Sequence, residues 1–97
     1  MKKVKIDTKH IKGWETFHEV FSKAFGFPEY YGRNMNAWID SMDEFNTELT
    51  LIDLGDCRTL KETYPEIIEA INECSAFVNY RKVEAGEEPV IIISMFI

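Results

Sequence analysis

The chain is poor in cysteine. It has two, Cys57 and Cys74, among 97 residues and no Cys-x-x-Cys pair. That excludes a disulfide framework and zinc-ligand spacing. Bases are also scarce: 11 Lys and Arg against 17 Asp and Glu give a formal net charge of -6. The sign disfavours nucleic-acid backbones and anionic membranes, which are gripped by cations. No apolar run approaches the ~20 residues of a membrane helix. The opening Met1-Lys2-Lys3-Val4-Lys5 lacks the apolar stretch of a signal peptide, and with free thiols the expected location is cytoplasmic. The five glycines form neither Gly-x-x-x-x-Gly-Lys nor Gly-x-Gly-x-x-Gly, so no phosphate-binding loop and no cofactor are expected. With no repeat, low-complexity block or linker, residues 1–97 are expected to form a single domain.

What is present is a large apolar payload, 45% hydrophobic and 13% aromatic residues, enough for one core. Val4-Lys5-Ile6 alternates as a short first strand, followed by a turn at Asp7-Thr8. Trp14, Phe17, Phe21, Ala24 and Phe25 recur at helical spacing as one buried stripe, ending near Gly26 before Pro28. Gly32 is expected to take backbone angles closed to other residues. Asn34 is placed to cap a second helix. In that helix Met35, Trp38, Ile39 and Met42 share one arc, with Ile39 at its border. Asn36, Asp40 and Asp43 lie on a polar arc, with Glu44 beyond. Leu49 to Asp53 reads as a second strand closed by Gly55, and Cys57 to Glu62 as a helical turn. A long helix starts at Tyr64-Pro65, with Thr63 as a cap. It carries Ile67, Ile68, Ala70, Ile71, Cys74, Phe77 and Val78 on its buried face and ends by Ala85-Gly86. Val90 to Ser94 is apolar on both faces, the pattern of a covered parallel strand. Helical crossovers between strands predict an α/β fold: a small parallel three-stranded sheet packed with three to four helices.

Catalytic and metal chemistry find little support. His10, in a loop, and His18, beside the first helix's stripe, sit in no motif with a serine or cysteine and read as surface or boundary residues. A small hydrolase or nuclease using either histidine with an acid is the competing enzymatic reading. Asp40 and Asp43 are helix neighbours, but no sign of a cleft suggests a raised pKa. No catalytic or metal-binding residue is assigned. The proline-stiffened turn Pro28-Glu29-Tyr30-Tyr31-Gly32 is more informative. Two tyrosines there offer large contact area at low entropic cost beside the acids of the next helix, the anatomy of a binding surface. One of the two is expected to pack on the core.

The block Pro28-Glu29-Tyr30-Tyr31-Gly32-Arg33-Asn34-Met35-Asn36-Ala37-Trp38-Ile39-Asp40 resembles the central signature of the barstar family, small intracellular inhibitors of secreted ribonucleases. The resemblance implies an inhibitor that is not an enzyme, a basic barnase-like ribonuclease as partner, a toxin/immunity role and a monomer when free. It implies that Tyr30 contacts the partner and covers its active-site histidine, while Tyr31, Gly32 and Asn34 shape the loop contacts. Asp40 would enter the pocket built for substrate phosphate, where a carboxylate can accept paired hydrogen bonds from arginine. Phe45 falls where the family prototype has a contacting tryptophan, and Glu84 is the candidate for an acid near the end of the long helix. Asn36 stands in place of a contacting aspartate and Ile39 in place of a tryptophan, with Trp38 one residue earlier. Arg33 sits where the prototype is acidic. These departures leave room for a different, non-ribonuclease toxin domain as partner.

Overall fold

In the computed structural model, which describes residues 1–97 apart from the side chain of Phe45, the chain opens with strand β1, Lys2–Lys5. The sequence places this strand two residues later. Ile6 extends the ladder by one bond, donating its N–H to Asp53 O at 2.9 Å. A single 3₁₀ turn, Thr8–His10, leads to α1, Trp14–Phe25. Gly26 ends α1 in the left-handed conformation at φ 68°, where a side chain would be strained. Helix α2 spans Met35–Phe45, β2 Thr50–Asp56, α3 Arg58–Thr63, α4 Pro65–Glu84 and β3 Ile91–Phe96.

The three strands pair in parallel in the order β1-β2-β3, the α/β fold expected. Gly55 does not close β2. The strand runs through it with a register shift between Asp53 and Gly55 against β3. Thr63 does not cap α4 either: its hydroxyl bonds back to Thr59 O at 3.0 Å, while Pro65 occupies the first helical turn, where its missing N–H costs nothing.

The expectation of a last strand covered on both faces is overturned. Burial alternates along β3, so Ile91 is buried while Ile92 and Phe96 are 42% and 60% exposed. Topology explains this. Two successive right-handed crossovers in a sheet of sequential order bring every helix to the same side. Val4, Ile52 and Ile93 form one row facing the helices, and Lys3, Leu51 and Ile92 form the adjacent row facing out.

The core between helices and sheet includes Phe17, Phe21, Trp38, Met42, Ile52, Ile67, Ile71 and Val78, all fully buried. Each large side chain buried there contributes about 1.5–3 kcal/mol. Several stripe assignments change. Trp14 is 39% exposed and Phe77 45% exposed, Ala24 is exposed, and Phe25, Ala70 and Cys74 are only half-buried. His18 replaces Trp14 in the buried stripe at 3% exposure, so it is no surface or boundary residue.

Candidate partner-binding surface

The Pro28 turn is closed by a hydrogen bond from Tyr31 N–H to Pro28 O at 2.9 Å. Its two tyrosines point opposite ways. Tyr31 is buried, with its ring 4.7 Å from Phe27. Its hydroxyl and His18 Nδ1 share a 2.6 Å hydrogen bond, which joins the loop to α1 and satisfies two buried polar groups. Tyr31 therefore offers no contact surface of its own and acts as the loop's anchor. Tyr30 is 84% exposed. An aromatic ring standing free on an anchored turn gives contact area without much loss of freedom on binding.

Gly32 is not the residue with special angles. Arg33 takes the left-handed conformation, φ 51°. Gly32 serves close approach instead: a Cβ there would meet Ala37 Cβ at 3.3 Å and Asn34 Nδ2 at 3.4 Å. Asn34 is extended and its side-chain oxygen accepts from Ala37 N–H at 2.8 Å, capping α2 as its sequence position suggests.

Along α2, Asn36 and Glu44 are exposed and Ile39 is half-buried. The side chain of Asp40 is 72% exposed, and that of Asp43 only 22%. The two acids therefore differ in role. Asp43 is held across the α2–α4 seam by Lys82 Nζ at 3.0 Å and by Arg81 at 3.1 Å. Lys82 also donates to Asp43 O at 3.0 Å, and its hydrogen bond to the Asp43 carboxylate raises its pKa. Asp43 thus ties two helices together rather than facing a partner freely. Asp40 meets Arg81 only at 3.7 Å, too long for a good hydrogen bond. Glu84 is exposed on the last turn of α4. The expected contact at Phe45 lies outside the described side chains. Arg81 and Lys82 were missed by sequence reasoning, since nothing along the chain signals that α4 cations will meet α2 acids.

Burial lowers the pKa of His18, and the positive charge of Arg33 pushes it the same way. The ring is therefore neutral in the folded chain near pH 7, whereas an unfolded histidine titrates near 6.5. The stabilisation is fully present above pH ~6.5 and is lost as pH falls below that value toward the depressed folded pKa, because the unfolded chain then binds the extra proton. Wild-type protein is expected to lose more stability between pH 7.5 and 5.5 than His18→Gln, measured by urea unfolding at each pH. Equal losses in the two proteins would contradict this.

Enzymatic use of the histidines does not fit this geometry. His18 is sealed inside, and His10 is an exposed turn residue 3.3 Å from Asp7. No cluster of three metal-ligating side chains occurs among the described residues. No helix among them is long and apolar enough to cross a membrane.

The α/β scaffold thus holds Tyr31 inward and leaves Tyr30 outward, at the head of a helix with an exposed acid. The family described as Barstar (barnase inhibitor) matches residues 1–92. The chain belongs to the barstar family, whose members are inhibitors and not enzymes. Comparison with curated proteins finds no match.

Proposed function

We propose that residues 1–97 are one barstar-like domain that binds a basic extracellular-type ribonuclease and occludes its active site, protecting the cytoplasm of the cell that makes the toxin. The protein is a monomer when free. The observation that supports this best is the pairing of a projecting Tyr30, on a loop pinned by Tyr31 and His18, with an exposed Asp40 on the helix that follows. The contact set is Tyr30, Gly32, Asn34, Asn36, Ile39, Asp40 and Glu84, with Tyr31 and Asp43 supporting it from beneath. The net charge of -6 draws a basic enzyme in and speeds encounter.

Titrating the purified chain into the secreted ribonuclease of its producing organism tests the proposal. RNA cleavage is expected to fall linearly to zero at one equivalent, and association to slow as salt rises. Full cleavage at excess chain removes the proposal. Asn36 and Ile39, together with the pairing of Arg81 to both acids, favour a second reading: immunity against a different toxin domain. Capture on the immobilised chain followed by mass spectrometry separates the two, since only the first yields a ribonuclease.

A further inference from the structure

Helical periodicity assigns Phe77 to the core of α4, yet the residue is 45% exposed, and Tyr80 is 57% exposed. Their rings stack at 6.3 Å and 22°. The guanidinium of Arg81 lies 5.7 Å over Phe77. Phe77, Tyr80 and Arg81 stand at i, i+3 and i+4, so they share one face of the helix. The same guanidinium reaches Asp40 and Asp43 at 3.7 and 3.1 Å. A continuous line of contacts therefore runs from the exposed acid of α2 to the exposed aromatics of α4.

Two uncovered aromatic rings side by side are the residue type concentrated at interface centres. Arg81 has five N–H donors. Arg81 spends one of them on Asp43 at 3.1 Å, and its approach to Asp40 is beyond good hydrogen-bond length. Most of the guanidinium's donor capacity is thus unspent, while the ring beneath limits its motion.

We infer that the partner-binding surface, which includes Glu84 on the last turn of α4, extends back along that helix beside its seam with α2. Phe77 and Tyr80 are its apolar anchors there, and Arg81 receives a carboxylate that the partner carries beside its cationic pocket. This rests on the ribonuclease reading above and names what the partner must present. Charge selects the occupant. A uniformly cationic surface would set like charge against Arg81. A second copy of this chain would bring Asp40, Glu44 and Glu84 against the same acids. A basic enzyme whose groove places a carboxylate next to its cations meets Asp40 and Arg81 together, the latter by a two-pronged bond.

The test uses the ribonuclease that the wild-type chain inhibits and compares dissociation constants. Phe77→Ala, Tyr80→Ala and Arg81→Glu are each expected to weaken binding about tenfold or more. Arg81→Lys recovers part of that, keeping the charge but not the fork, and Val83→Ala on the same helix changes nothing. Circular dichroism is expected to show the fold retained in each. The loss from Arg81→Glu persists in an Asp40→Ala background, because Arg81 has its own partner group. Wild-type affinity in the three variants overturns the inference. So does tighter binding by Arg81→Glu, or a loss that vanishes without Asp40, which would make Arg81 only a positioning residue for that acid. If Asp40→Ala weakens binding and the α4 variants do not, the extension falls and the ribonuclease reading stands. If the wild-type chain inhibits no secreted ribonuclease, both fall.

Discussion

Replacing Trp38 with alanine is expected to cost about 3–5 kcal/mol of stability, a large share of the roughly 5–15 kcal/mol typical of a domain. Trp38 is fully buried, and Phe21 of α1 packs edge-on against it at 5.7 Å. It therefore joins α2 to α1, and no neighbour can fill the space of an indole. The ring nitrogen tells a second story. Trp38 Nε1 is buried without a hydrogen-bond partner, and an orphaned buried donor carries a penalty of its own. Trp38→Phe removes that donor along with some volume, so its loss is expected to be less than half that of alanine. Urea midpoints at unchanged slope measure both. If alanine and phenylalanine cost the same, the packing account is wrong.

The same residue explains a departure from the family pattern. Trp38 and Asp40 are two apart on a helix, roughly opposite each other at ~100° per residue. Burying the indole at 38 pulls one side of α2 onto α1 and leaves Asp40 outward. It also means that α2 has no exposed tryptophan, since Ile39 takes the border position and is half-buried. Phe77 and Tyr80 of α4 supply exposed aromatic area beside the same acids.

Local chemistry carried most of the fold. Asn34 and Gly26 mark helix ends because capping and the left-handed turn are short-range requirements. Trp38 and Met42 face inward because the apolar period is that of a helix. What local pattern could not show was which neighbour covers each border. Phe77 follows the apolar run in composition, but at ~100° per residue it stands off the arc of Ile67, Ile71 and Val78, and it is 45% exposed. Lys82 and Asp43 are 39 positions apart, so their bond exists only once α2 and α4 are packed. His18 was closer to legible: it lies three residues before Phe21, on the buried stripe. Its polarity pointed outward, and its partner Tyr31 is 13 positions away in another element. The open sheet face followed from crossover handedness rather than from the isoleucines of β3, whose composition suggests cover on both sides.

Asp40→Ala is expected to leave stability within about 0.5 kcal/mol of wild type and to weaken the ribonuclease complex by about 2 kcal/mol or more, roughly 30-fold. The size is that of interface hot spots in general, among which a barstar aspartate is itself an example. The two halves of the expectation have separate physical grounds. In the free chain the side chain is 72% exposed and its one ion pair, to Arg81, is long, so solvent screens it and little is lost when it goes. In a cationic groove the same carboxylate would be stripped of water and held by paired donors, and removing it would leave the enzyme's own cations buried and unpaired. The loss is therefore expected in the dissociation rate, with a smaller change in association from the missing charge. Asp40→Asn keeps the shape but neither the charge nor the second acceptor, so it is expected to fall near alanine rather than near wild type. An enzyme that the wild-type chain inhibits, bound equally well by Asp40→Ala, would take this residue out of the interface. Thermal melts of the same variants separate the two effects, since a residue supporting the α2–α4 seam, as Asp43 does through Lys82 and Arg81, would lower the melting temperature as well.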